Sequence, residues 1–275
     1  MAERTKSRAH ACASTLSLAA ISVALMSGAA AALAVEERKP YIVLRYFESR
    51  GRAEPIRLQL ENLGLQYEDI RYAPEDWRST WKKSGKFPFE QLPSLSYCPT
   101  HDEKDPACVD LVQTHTIMRF LGRKFNAYDE GDRHWIDLVA DGAEDFRGKY
   151  TRLAYDRDYT GKMDTYMQET LPTWLGHFER LKGQLKLGKP RFFVSDKLTH
   201  ADTFVFYVLD LNERLLGPGV LDDYPLLKAF KREVQSVPSI RAYLDSDRIP
   251  TFANGKSAFL DNPANPPPGF SPDEL

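Results

Sequence analysis

The apolar periodicity of this chain changes once, near residue 130, and that change limits the folds open to it. Before that point, short apolar runs alternate with amphipathic stretches. Residues 41–44 read as a buried strand. Residues 53–63 read as a helix, with Ala53, Ile56, Leu60 and Leu63 on one face. Pro55 suits the first turn of that helix and Gly64 its end. A second strand is expected over 66–72. Residues 91–95 lead into a third strand and 108–112 form a fourth, and 113–121 begin another helix. After residue 132 every apolar stripe has a helical period, over 134–155, 161–185, 201–216 and 224–237. Thr199 and Asp202, spaced three apart at the start of an apolar run, form the pattern of a capping box. The expectation is a small α/β domain over 39–123 followed by an all-α helical domain over 132–250.

Composition removes several functions. The chain has 275 residues, 42% hydrophobic and 28% charged, with a formal net charge of −2. That balance offers no basic footprint, so no nucleic acid is expected as a partner. Three cysteines and six scattered histidines supply no zinc spacing. Neither a Walker loop nor GxGxxG occurs, which argues against nucleotide phosphates.

The two ends differ from the middle. Arg4, Lys6, Arg8 and His10 precede an apolar run over 16–26, and Ala32-Leu33-Ala34 makes an A-x-A site. Residues 1–34 therefore read as a secretory signal peptide, with an uncleaved anchor as the alternative, although Ser27-Gly28 interrupts the run. Once the signal is removed, no stable membrane span is expected. Residues 251–275 are proline-rich and read as disordered or draped over the surface. The chain finishes Pro272-Asp273-Glu274-Leu275, which matches an endoplasmic-reticulum retention signal except at its first position. The expected location is the lumen of that compartment or the secretory pathway, with a cytoplasmic or organellar site as the alternative. In an oxidising lumen, Cys98 and Cys108, at the two ends of a segment between the third and fourth strands, become a candidate disulfide.

Chemistry concentrates where the first strand meets the first helix, in LRYFESRGRAEPIRLQLENLG. An aromatic hydroxyl, Tyr46, and a basic turn stand at the carboxyl end of a strand, the edge where α/β proteins usually bind ligands. Together with QLPSL, VQTHTIMRFLGR, DLVADGAEDFRGKYTRLAY and LTHADTFVFYVLDL, the stretch YFESRGRAEPIRL resembles the cytosolic-type glutathione transferases, nearest the sigma, pi and mu classes. The resemblance runs over residues 39–249. It implies a thioredoxin-like α/β domain followed by the helical domain, glutathione as co-substrate, no other cofactor and no metal. It also implies a small apolar electrophile as second substrate and a homodimer.

Residue by residue, Tyr46 matches the catalytic tyrosine. A phenol that donates a hydrogen bond to sulfur stabilises a thiolate, and such bonds to charged groups contribute about 1.5–3 kcal/mol. Arg52 matches a basic residue near the tyrosine, while Arg50 and Gly51 are expected to shape the turn. Trp77 and Lys83 match the holders of the glycine carboxylate, with Lys82 the alternative if the register slips. Gln91 matches a glutathione-binding position, Leu92 the residue that pairs with the cysteinyl backbone, and Pro93 a structural cis-proline. Gln113 and Thr114, at a helix start, match the γ-glutamyl site, where an N-cap role for the hydroxyl is compatible with binding. Asp145 matches an acid that reaches the ligand from the neighbouring subunit, with Glu144 as fallback. Phe47 and Tyr155 match the electrophile pocket. A glutathione-dependent isomerase or peroxidase, or a non-catalytic binding protein on the same fold, are the alternatives. A thioredoxin-type oxidoreductase is not, because the turn carries Ser49 and no cysteine.

Overall fold

In the computed structural model, residues 39–102, 104–128, 131–185, 190–262 and 264 are described. The expected signal segment and the last four residues lie outside them. The first strand, β1 (Tyr41–Phe47), is interior to the sheet, and Ile42, Val43 and Leu44 are buried on both of its faces. It pairs in parallel with β2 (Glu68–Tyr72) and antiparallel with β3 (Ser94–Cys98), which pairs antiparallel with β4 (Val109–Val112). The order is β2-β1-β3-β4. A parallel pair needs a crossover, and α1 (Glu54–Asn62) supplies it. Gly64, at φ +65°, stops α1 in a Schellman turn: its N–H bonds Glu61 O and the Leu65 N–H bonds Leu60 O, both at 3.0 Å.

Between β2 and β3 the chain makes one helical turn (Pro74–Asp76) and a π-helical turn (Trp77–Trp81). Trp77, Tyr72 and Phe87 form a small aromatic cluster there, apart from the main core. Cys98 and Cys108 are joined by a disulfide across the segment between β3 and β4, with Cα atoms 4.2 Å apart. The sheet half closes with α2 (Thr114–Lys124).

The helical half comprises α3 (Arg133–Ala154), α4 (Tyr159–Thr165), α5 (Leu171–Gln184), α6 (His200–Leu216), α7 (Pro225–Gln235) and α8 (Pro238–Leu244). Two boundaries differ from the sequence reading. The single helix expected over 161–185 is divided by a π-helical turn, Tyr166–Thr170. Pro172 has no N–H for the ladder, so the preceding turn widens instead of continuing regularly. The helix expected to reach 237 stops earlier, because Val237, preceding Pro238, is extended (ψ 122°) and a new helix begins.

The axis of the protein is α6, apolar nearly all round and buried from His200 to Leu209. Its start is the expected capping box of Thr199 and Asp202. The Asp202 carboxylate accepts the Thr199 N–H at 2.7 Å and the Phe193 N–H at 2.8 Å. Burial pushes this carboxyl up, while those donors pull it back. Further along, Asp210 of α6 pairs with buried Arg50 at 2.8 Å and with Lys231 at 3.0 Å. Arg57 of α1 joins Glu54 at 3.2 Å and Asp69 of β2 at 2.9 Å. These charges are paired at both ends, which is the condition for tolerating them inside.

The expectation of a disordered or draped segment from residue 251 does not hold for residues 251–262. Phe252, Ala253, Asn254, Leu260, Asp261 and Asn262 are buried. Arg214 Nε of α6 meets Asp261 Oδ2 at 2.5 Å, and the Phe259 N–H donates to Ala154 O at 2.7 Å. The prolines that prompted the expectation begin only at residue 263, after the apolar positions have packed.

Candidate active site

Tyr46 lies one residue before the end of β1, with its ring 8% exposed. The chain then turns sharply, and Gly51 takes φ +42°. No other residue fits, because a Cβ at Gly51 would stand 2.6 Å from Tyr46 Oη. The Arg52 N–H donates to Tyr46 Oη at 3.1 Å. One acceptor position of the phenol is thereby filled by the backbone, and its own proton is left to point elsewhere.

Two devices hold this turn. Beneath it, the Arg50 guanidinium is buried against Asp210 and Glu54 and lies over the Tyr207 ring at 5.3 Å. Above it, the N–H groups of Arg50 and Gly51 donate to the carbonyls of Phe252 and Ala253, each at 2.9 Å. The segment 251–262 is thus a strap across the tyrosine loop.

A cavity of about 880 Å³ opens in front of Tyr46. Phe47, Pro74, Tyr155 and Phe252 supply apolar wall, and Asn254, Gly255 and Lys256 of the strap supply polar groups. Tyr155 Oη accepts the Gly255 N–H at 3.1 Å. Burial of the phenol end raises the Tyr155 pKa above its ordinary value, although the ring is 42% exposed. The hydroxyl therefore stays protonated at neutral pH and can donate into the cavity.

Tyr155 also borders a second cleft of about 620 Å³, together with Arg52, Glu144, Asp145 and Arg147. Glu144 is already engaged, with Arg52 Nη1 at 3.3 Å and Arg147 Nε at 2.7 Å. Burial opposes its charge, but the Arg147 and Arg52 guanidiniums hold its carboxyl below the usual range. Asp145 is exposed beside it. Of the two acids, both of which line the cleft, Asp145 is the more exposed.

On the opposite side, Gln113 Nε2 donates to Gln91 Oε1 at 2.8 Å. Gln113 sits at φ +74°, an unfavourable conformation for a non-glycine residue that costs about 1–3 kcal/mol. The Leu92–Pro93 bond is cis. Thr114 is the first helical residue of α2 rather than its cap, so the N-cap role considered for it does not apply. Its hydroxyl donates to Arg52 O at 3.3 Å and so joins the helix start to the tyrosine loop. Trp77 is 6% exposed, edge-on to Phe47 at 6.3 Å, and Lys83 is exposed.

The fold therefore gathers Tyr46, Arg52 and Thr114 into one bonded group and Gln91 with Gln113 into another. Phe47 and Tyr155 share the Tyr46 cavity, Trp77 reaches it through Phe47, and Asp145 shares a cleft with Arg52. Among the described residues, Lys83 stands apart from all of them, with no hydrogen bond or ion pair to any. Sequence reasoning missed the strap residues and Pro74. The apolar positions Phe252, Ala253, Leu260 and Ala258 were the available signal. Among the described residues no cluster of ligating side chains could hold a metal ion, and no helix is long and apolar enough to cross a membrane.

Glutathione S-transferase 2 of Onchocerca volvulus is 35% identical over 218 residues, covering 78% of this chain and 98% of that protein. The chain belongs to the glutathione S-transferase family. Residues 144–247 match the family described as glutathione S-transferase, C-terminal domain. Human glutathione S-transferase Mu 3 is 35% identical, covering 76% of this chain and 89% of that one. Among solved structures, the Onchocerca volvulus pi-class glutathione S-transferase superposes with a TM-score of 0.67 at 34% identity, covering 79% of this chain and 99% of that one. The shared extent is the mixed sheet followed by the helical half, the architecture expected of the family.

Proposed function

We propose that this chain binds glutathione with its sulfur against Tyr46 and transfers it to an apolar electrophile in the 880 Å³ cavity. The observation that carries the reading is the Tyr46 hydroxyl: it accepts the Arg52 N–H at the rear and faces the cavity in front. Its proton is left for a sulfur. A free thiol has a pKa of about 8.5. One hydrogen bond to the anion, at about 1.5–3 kcal/mol, lowers that by roughly one to two units and makes most of the bound thiol nucleophilic near neutrality.

The rest of the tripeptide follows the chemistry of the surrounding groups. The N-terminus of α2, with Gln113 and Thr114, attracts the γ-glutamyl carboxylate. Gln91 and the Leu92 backbone, set by cis Pro93, receive the cysteinyl unit. Trp77 and Lys83 are the donors for the glycine carboxylate, and Arg52 closes the side shared with Asp145. Because Asp145 is exposed, it serves the site of a neighbouring subunit, and the active form is a homodimer. In the transfer step the sulfur lone pair forms the C–S bond. Either a leaving group departs with its bonding pair, or the π pair of an enone moves to oxygen and takes up a proton, for which Tyr155 is the nearest placed donor. Isomerisation and peroxide reduction share the thiolate and differ in the second substrate.

Tyr46→Phe keeps the ring and deletes only the bond to sulfur. The expected result is near-normal glutathione affinity, reduced turnover, and an apparent thiol pKa raised by about one to two units. An unchanged pH–rate profile would remove Tyr46 from this role.

We also propose that the mature chain resides in the endoplasmic reticulum lumen, supported by the basic-then-apolar leader, the Asp-Glu-Leu ending and the Cys98–Cys108 bond. Intact mass of the alkylated protein with and without reductant tests the bond. Imaging of an internally tagged chain tests the location, and a cytosolic signal refutes it.

A further inference from the structure

The cavity in front of Tyr46 is mostly apolar, yet four charged side chains border it: Glu48, Glu75, Arg78 and Lys256. Three of them are neutralised locally. Glu48 pairs with Arg71 at 2.8 Å, and Arg78 pairs with Glu75 at 3.5 Å. Among the described residues, Lys256 has no carboxylate within ion-pair distance. It follows Gly255, whose N–H fixes the Tyr155 hydroxyl, so the segment carrying the ammonium is anchored by a backbone bond to the cavity wall. Asn254, on the other side, is buried and donates to Tyr150 Oη and Leu260 O, both at 3.0 Å. Lys256 is thus an exposed, unpaired cation bordering the apolar cavity that Tyr46 also lines, a combination suited to the polar end of an amphipathic molecule.

We propose that Lys256 selects electrophiles that carry a carboxylate at the end remote from the reacting carbon. The inference rests on the transferase reading and adds the substrate class to it: an apolar body, an electrophilic carbon at the Tyr46 end and an anionic group at the strap end. Addition to an enone of this kind is balanced without a further reagent. The thiolate forms the C–S bond at the β carbon, the π electrons pass to the carbonyl oxygen as an enolate, and the enolate takes a proton from Tyr155 or water. The carboxylate stays intact and serves only to orient.

The test compares two matched acceptors, 4-carboxybenzylideneacetone and its methyl ester, whose reacting atoms are the same. The quantity read is the ratio of kcat/KM for acid over ester, in which differences of protein preparation cancel. In Lys256→Met this ratio should fall by about two- to fivefold, the range of a solvent-exposed ion pair. Lys256→Arg should restore most of it, and Lys256→Glu should lower it further. In the wild type the ratio should fall as salt rises from 20 to 500 mM, roughly, and in Lys256→Met that dependence should flatten. A ratio unmoved by Lys256→Met overturns the proposal. So does a raised KM for glutathione with the ratio unmoved, which assigns the ammonium to the co-substrate. A fall of the ratio in Arg152→Met but not in Lys256→Met also overturns it, because Arg152 lines the neighbouring cleft of about 620 Å³ and the anion then uses that cleft. Absence of turnover with the ester in wild-type protein would refute the transferase reading itself, a result distinct from any change in the ratio.

Discussion

Gly51→Ala is a sharp perturbation, because the methyl group it adds points at the Tyr46 hydroxyl. At φ +42° an alanine is already strained, by about 1–2 kcal/mol. Its Cβ would lie 2.6 Å from Tyr46 Oη and 2.7 Å from Cε1, against an ordinary contact of 3.4 Å or more. Tyr46 or the turn must therefore yield by about 0.8 Å, the difference between 3.4 and 2.6 Å. The ring has little room, since Phe47 stands against it at 5.3 Å and the rest is core. The turn is equally restrained, with the Gly51 N–H bonded to Ala253 O at 2.9 Å. Displacements near 1 Å in a positioned catalytic group cost up to about 100-fold, so turnover should fall by roughly 10- to 100-fold. Stability should fall by about 1–3 kcal/mol, which lowers the melting temperature by roughly 3–10 °C for a chain of this size. The assay is steady-state turnover with a neutral aryl halide, accompanied by spectroscopic titration of the bound thiol. If the change acts through the tyrosine, adding it to Tyr46→Phe should cost little further activity. Wild-type turnover in Gly51→Ala, or losses that multiply in the double variant, would refute the reasoning.

Asn254→Ala removes the donor to Tyr150 and Leu260 O and should destabilise by about 1–3 kcal/mol while loosening the strap. Limited proteolysis should cut within 251–262, and KM should rise more for the electrophile than for glutathione. Asp145→Ala should weaken glutathione binding by about two- to fivefold with little change in melting temperature, since the residue is exposed. Sedimentation should find the wild type dimeric at assay concentration, and a fully active monomer would contradict the assignment. Asp137 offers a pH test. Burial works against its charge, but His200, the Tyr128 hydroxyl at 2.6 Å and Arg119 at 2.7 Å hold its carboxyl well below the usual range. A depressed folded pKa gives stability that is complete above the unfolded value near 4 and lost as pH falls toward the folded one. Asp137→Asn should therefore lower stability by about 1 kcal/mol at pH 7, solvent screening reducing the effect of the partly exposed pairs, and the gap between the two proteins should narrow below about pH 4.

What could be read beforehand was what local chemistry dictates. Pro55 and Gly64 delimit α1 by their own backbone preferences, and Thr199 with Asp202 writes a helix start into four residues. The positions of Tyr46, Phe47 and Tyr155 were legible because several separated motifs fall in family order. The division of residues 161–185 was not, since the apolar stripe runs on through Pro172 and only the missing N–H breaks the regular ladder. The strap was illegible for a different reason. Its partners are backbone N–H groups of Arg50 and Gly51, and main-chain donors leave no mark in side-chain periodicity. The role of Thr114 as a tie to Arg52 O was hidden in the same way.

The pairing of Arg50 and Gly51 with Phe252 and Ala253 also has a consequence for how the protein is made. About 200 residues separate the two halves of that small ladder. At synthesis rates of about 5–20 residues per second, the tyrosine loop waits roughly 10–40 s for the carbonyls that steady it. A nascent chain can thus form its sheet and helices and still lack a finished reaction centre. A polypeptide interrupted before residue 252 therefore lacks the carbonyls that steady the tyrosine loop, however complete its sheet and helices.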